Sequence, residues 1–256
     1  MKDNIENNVQ ENSFENKDNV VSEKNGAEEK SKKKKGNLKL LICVCCLIIL
    51  IGLFIWSAYD NYIKSCNEML PDLEKPVIYL YPENEMNLSL QIDDVNFTSS
   101  YPEYKNGWDI VASPDGTLRD RKGREYNYLY WEGTHSNYDV DMTNGFVVAK
   151  EDYVSFFENK LSYIGLSDKE ACDFISYWLP ICNKYDYTLI SFQKNYSDVV
   201  KKTLSVPPDN KLEVFVAFKG LNSPIDIPEQ DLSFYDSFER EGFVMVEWGG
   251  TLLSDD

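Results

Sequence analysis

Two glutamates stand where carboxylate chemistry would need them. In Tyr126–Glu132 the two-residue period of a strand sends Tyr126, Tyr128, Tyr130 and Glu132 to one face, with Asn127, Leu129 and Trp131 on the other. In Phe243–Trp248, Phe243, Met245 and Glu247 share a face opposite Val244, Val246 and Trp248. Glu132 and Glu247 each end an aromatic strand beside a tryptophan and just before a glycine. If both ends lined one rim of a sheet, paired acids could do general acid and base work on a glycosidic bond, with Trp131, Trp248, Tyr130 and Tyr128 as platforms for sugar rings. The same positions also suit ordinary strand-end acids, solvated or paired with Arg119, Arg121, Arg124 or Arg240.

Other chemistry has less to draw on. The one histidine, His135, lies in the polar stretch Gly133–Ser136 and reads as a surface residue. No second histidine exists for a HExxH zinc site. Asp139 and Asp141 ahead of Gly145 fail as a calcium loop, because the glycine falls one residue late and Lys150 stands where the closing glutamate belongs. There is no GxGxxG, no Walker loop and no GxSxG elbow. No cofactor and no metal are therefore expected.

These residues must be positioned by a domain that follows a very different stretch. Leu38–Tyr59 carries no charged or strongly polar side chain from Leu40 to Trp56, and a helix of about 20 apolar residues spans a bilayer. Lys32–Lys35 precede it, with no comparable basic excess after it. The positive-inside rule then predicts an uncleaved signal-anchor over 38–59, a disordered cytoplasmic tail over 1–37, a juxtamembrane linker over 60–74 and an extracytoplasmic domain over 75–256. The lipid bilayer is the expected partner of residues 38–59. The tail is rich in Asn, Glu and Lys and too poor in apolar residues to form a core.

From Asp60 onward, 35 acidic side chains face 17 basic ones. That balance opposes binding to a phosphate backbone, which needs clustered cations, so no nucleic-acid partner is expected. Cys66, Cys172 and Cys182 make an odd count beyond the span. A Cys172–Cys182 disulfide requires the chain to double back after Pro180.

Along the domain, Pro76–Tyr81, the alternating Met86–Ile92, Gly107–Ser113, Thr117–Arg119 and Arg124–Glu132 read as strands, the last three forming a meander through turns at Ser113–Gly116 and Asp120–Gly123. After Phe146–Ala149 the period changes to about 3.6. Val154, Phe157, Leu161 and Ile164 mark one helix, ended by Gly165. Ser167 and Glu170 make a capping box for the next, whose stripe is Ala171, Phe174, Ile175, Trp178 and Leu179, with Pro180 as its stop. Strands over Tyr187–Phe192, Leu212–Phe218 and Phe243–Trp248 follow, and Ser223–Glu241 is a surface excursion. The predicted fold class is α+β: a mainly antiparallel or mixed sheet with a central helix pair, preceded by one transmembrane helix.

The stretches Lys75–Pro82 (KPVIYLYP), Tyr101–Tyr104 with Gly107-Trp108, Tyr128–Gly133 (YLYWEG), Ile190–Gln193 and Glu247–Gly250 (EWGG) together resemble a group of uncharacterised bacterial proteins, membrane-anchored or extracytoplasmic. The resemblance covers most of residues 75 to 251. It implies one shared domain and no particular activity. The function expected is a single-pass membrane-anchored binding or interaction module for an envelope glycan or a partner protein. The alternative is a glycan hydrolase using Glu132 and Glu247.

Overall fold

The computed structural model describes residues 44–61, 72–136 and 138–253, and the chain divides into two units between Ser65 and Cys66. The predicted tail, the start of the predicted span and most of the linker fall outside the described residues.

In the first unit, α1 (Val44–Asn61) is an apolar helix of 18 residues with none of its length buried. At 1.5 Å per residue it covers about 27 Å. By length and composition it can cross a membrane, and apolar side chains exposed all around a helix suit lipid rather than water.

The second unit is built on two sheets, with strands numbered along the chain. The larger has the order β3 (Val95–Tyr101), β7 (Leu129–His135), β1 (Asp72–Tyr81), β12 (Val244–Leu253), β11 (Asn210–Leu221), β9 (Tyr187–Phe192), β8 (Phe146–Ala149). Among the described residues only β11 and β12 run parallel. The smaller is β10 (Lys202–Leu204), β2 (Met86–Ile92), β4 (Trp108–Ala112), β5 (Leu118–Arg119), β6 (Glu125–Tyr126), antiparallel throughout. The fold is thus α+β, with a second sheet that the sequence reading did not separate from the first.

Layering follows from side-chain alternation. Val77, Tyr79, Val216, Phe218, Val246 and Trp248 face a helix pair, α2 (Tyr153–Tyr163) and α3 (Asp168–Cys182), and pack on its Phe157, Leu161, Phe174 and Trp178. Ile78, Leu80, Trp131, Phe215 and Met245 face the smaller sheet and meet its Leu88, Leu90, Trp108 and Leu118. A sheet covered on both sides needs apolar residues at successive positions, which is why Val77–Leu80 and Val214–Phe218 are continuous apolar runs.

Local signals set the ends of the helices. Gly165, at φ +100°, closes α2: its N–H reaches Ser162 O at 3.1 Å and the Leu166 N–H reaches Leu161 O at 3.0 Å. The Ser167 Oγ accepts from the Glu170 N–H, and the Glu170 carboxylate accepts from the Ser167 N–H at 2.8 Å.

Four expectations are corrected. Val154 is exposed, and the buried position on α2 belongs to Tyr153, whose hydroxyl lies 2.6 Å from Thr188 Oγ1. Pro180 does not stop α3, which runs on to Cys182. Cys172 and Cys182 therefore sit on one helix about 15 Å apart, far beyond the Cα spacing of about 4.4–6.8 Å that a disulfide tolerates, and both are free thiols. Burial pushes the Cys182 thiol up to about 12. Finally, Arg124–Glu132 is two strands, β6 and β7, and the chain passes from one sheet to the other at Asn127-Tyr128.

Acid sensitivity is built into the turns. Backbone N–H groups of Thr117, Arg124 and Ser233 donate to Asp115, Asp120 and Asp231 at 2.9 Å, and Thr143 donates to Asp141 through its hydroxyl and its N–H. These bonds hold all four carboxyls below their ordinary 3.8. A carboxyl depressed in the folded state contributes stability that is complete above its unfolded value and disappears as pH falls through the folded one. The urea midpoint should therefore drop as pH is lowered below about 4, and Asp120→Asn should shallow that drop. An unchanged acid limb in the variant would refute the assignment.

Candidate functional site

The two predicted carboxylates project from opposite faces of the central sheet. Glu247 points between the sheets with Met245, while Val246 and Trp248 point to the helices. On β7, Leu129 and Trp131 point between the sheets, while Tyr130 and Glu132 point the other way, as does Tyr128 just ahead of the strand. The structure therefore does not bring Glu132 and Glu247 together across a cleft.

Glu247 instead belongs to a sealed ion cluster. The Trp131 indole Nε1–H donates to its Oε1 at 3.1 Å, and the Lys202 ammonium, reaching in from β10, contacts its Oε2. The same ammonium lies 2.9 Å from Glu213 Oε1 and 4.1 Å above the Tyr196 ring, and Lys211 bridges Glu213 from outside at 2.7 Å. The side chains of Lys202, Glu213 and Glu247 are no more than 4% exposed. Burial pushes the Glu247 carboxyl up against the pull of Lys202. Burial acts likewise on Glu213, but Lys202 and Lys211 together hold it below the usual range. Such a cluster fastens the smaller sheet to the larger.

Trp248 is equally enclosed. Its indole Nε1–H donates to the Tyr79 hydroxyl at 3.3 Å, and that hydroxyl donates to Asp173 Oδ2 at 2.9 Å. Trp131 and Trp248 are thus core residues, out of reach of a sugar. His135, expected at the surface, is buried on β7. Among the described residues no group of three or more His, Cys, Asp or Glu is placed to hold a metal ion.

Tyr128 and Tyr130 have a different setting. Register pairs Tyr130 with Tyr101 and Glu132 with Ser99 on β3, and the helix-side positions Ser99 and Tyr101 are exposed. Tyr128, Tyr130 and Glu132 are half-buried. Near this sheet edge the Tyr101 and Tyr126 rings meet edge-on at 5.4 Å, and Arg124 Nη1 donates to the Tyr101 hydroxyl at 3.1 Å. A groove of about 320 Å³ is lined by Tyr101, Thr117, Glu125, Tyr126, Asn127 and Tyr128.

These tyrosines form a shelf along the sheet edge, and on its other side a kink in β1 brings in a cation. The β1 register shifts between its second and sixth residues, and Lys75 sits there at φ +55°. Its ammonium lies 4.6, 5.4 and 5.7 Å from the ring centres of Tyr130, Tyr128 and Tyr177. Burial lowers the Lys75 ammonium, with Glu132 and Asp173 acting in opposition. Burial also raises the Tyr128 and Tyr130 phenols, which therefore stay protonated and able to donate at neutral pH. The shelf thus offers ring faces, phenol donors, a carboxylate and an ammonium at one sheet edge.

Sequence reasoning missed Tyr101, Lys75 and Tyr177. Tyr101 and Lys75 stand in the sequence reading only as members of the stretches Tyr101–Tyr104 and Lys75–Pro82, and no local signal marks the kink that turns Lys75 onto the rings. No known protein family, no curated protein and no solved structure matches this chain.

Proposed function

We propose that the chain is a single-pass membrane-anchored binding protein, with its tail cytoplasmic and residues 60–256 outside, whose tyrosine shelf holds envelope glycan. The observation that carries the reading is the shelf: Tyr101, Tyr128 and Tyr130 present ring faces and hydroxyls beside Glu132 and Lys75, the mixture that a polyhydroxylated ring with apolar C–H faces requires. Orientation rests on Lys32–Lys35 ahead of the apolar span. The resemblance to membrane-anchored bacterial proteins agrees with this placement. Hydrolysis by Glu132 and Glu247 draws no support from the geometry, since Glu247 has no path to a substrate.

The test uses the full chain in lipid nanodiscs, incubated with purified cell-wall glycan. Retention without release of sugars is expected. Tyr128→Ala and Tyr130→Ala should each weaken it about five- to tenfold, the equivalent of about 1 to 1.5 kcal/mol for one aromatic contact. Retention unaffected by both changes, or no retention by the wild-type chain, would overturn the glycan reading. Protease added outside permeable-walled cells should remove the domain, and protection of the domain would reverse the orientation.

A further inference from the structure

One edge of the central sheet is open in a way the opposite edge is not. β3, at one end, carries a register shift between Phe97 and Ser99 and exposes Asn96, Thr98 and Ser99, polar features that discourage another strand from pairing. β8, at the other end, reads Phe146-Val-Val-Ala149, pairs with β9 without any shift, and has no proline or charge within it.

Hydrogen bonds at both ends of β8 fix which backbone groups point outward. The Lys150 N–H donates to Asp186 O at 3.0 Å, towards the β9 side, and the Gly145 N–H donates away from it, to Pro228 O at 3.0 Å. Because strand groups alternate sides, Phe146 and Val148 bond β9 while the N–H and C=O of Val147 and Ala149 face outward. The Ala149 C=O is taken up as the cap of the 3-10 turn Lys150–Asp152, and among the described residues no hydrogen bond reaches the N–H and C=O of Val147 or the N–H of Ala149. They open onto a groove of about 540 Å³ between β8, α2 and the 225–229 segment, a volume within the range of peptide and ligand sites.

The groove also has a charge. Asp152, Asp226 and Glu229 line it against a single lysine, Lys160. That lysine is already engaged, 4.2 Å above the Phe146 ring and 3.9 Å from Glu229. Phe156 and Ile225 supply apolar wall between the acids.

We infer that β8 is a docking edge for an extended basic segment of a partner protein, which adds to the central sheet as an eighth strand. Main-chain bonds to Val147 and Ala149 supply affinity, and the carboxylates of Asp152, Asp226 and Glu229 select lysine or arginine at alternate positions. This surface is separate from the tyrosine shelf, on the far end of the same sheet, and does not depend on the glycan reading.

Ala149 provides a clean test. Its φ of −76° and ψ of 152° suit proline, so Ala149→Pro deletes an outward N–H without breaking a bond to β9. The full chain in nanodiscs is titrated with an octapeptide of alternating lysine and valine, and with a glutamate–valine counterpart. The basic peptide should bind, should slow hydrogen exchange at the Val147 and Ala149 amides, and should bind at least tenfold more tightly than the acidic one. Ala149→Pro should keep its thermal midpoint and lose at least tenfold in affinity. Asp226→Lys combined with Glu229→Lys should invert the peptide preference. No binding of the basic peptide, equal binding of both, or affinity indifferent to both sets of changes would overturn the inference. Protection of β8 through self-association without peptide would overturn it too, by assigning the edge to a second copy of this chain.

Discussion

Lys202→Ala is expected to lower the stability of the domain by about 3–5 kcal/mol, the cost of leaving a buried charge without its partner. The substitution strips the ammonium from Glu247, which is fully buried and keeps the neutral Trp131 indole, whereas Glu213 retains Lys211. Replacing Lys202 and Glu247 together by methionine should recover most of that loss, because an apolar pair of similar volume carries no desolvation cost. Urea unfolding of the three proteins measures both effects. A loss below about 1 kcal/mol in the single variant, or a double variant no better than the single, would show that the cluster does not hold the sheets together.

Trp178→Ala should cost a similar amount, about 3–5 kcal/mol, for a large aromatic side chain removed from a filled core. Trp178 stacks on Phe218 at 4.3 Å and lies above Gly250. A Cβ at Gly250 would come within 2.6 Å of the Trp178 ring and 2.5 Å of the Val216 carbonyl oxygen. Gly250→Ala should therefore destabilise too, and should remain destabilising in the Trp178→Ala background, because the carbonyl belongs to the neighbouring strand and cannot yield. If alanine at 250 were harmless once the indole is gone, the close approach of strands β11 and β12 would not be the reason for glycine there.

Legibility in the sequence followed the physics of each element. Period and caps identified α2, α3, β2, β9 and the turns at Ser113 and Asp120, since each is decided by residues within a few positions of one another. The two faces of β7 and β12 were read correctly for the same reason. What the period could not say was which face meets water. Both faces of the central sheet are covered, so Trp131, Trp248 and Glu247 became interior residues rather than a rim. The polar edge strand β3, the three-residue β10 and the four-residue helix α4 (Tyr196–Val199) are too short or too polar to announce themselves. Lys202, on β10, was consequently missed, although it organises the buried cluster. KPVIYLYP, YLYWEG and EWGG fall largely within β1, β7 and β12, which lie side by side in the sheet. Glu247, Trp248 and Gly250 are each explained by packing or charge burial.

The place of β12 bears on how the domain is made. It lies at the middle of the larger sheet between β1 and β11, and the indole of Trp248 meets the hydroxyl of Tyr79 across 169 positions of sequence. A chain delivered amino-end first presents β1 early, yet β1 must wait for one of its two neighbours until nearly the whole domain has been synthesised. During that interval Val77–Leu80 has no lasting cover on the β12 side and is open to premature pairing with other chains. Long-range pairings of this kind form slowly because loop closure comes before any contact repays it. The core is therefore completed only when β12 slots into the centre of the sheet, and a ribosome that stalls before Val244 leaves a product without a finished core.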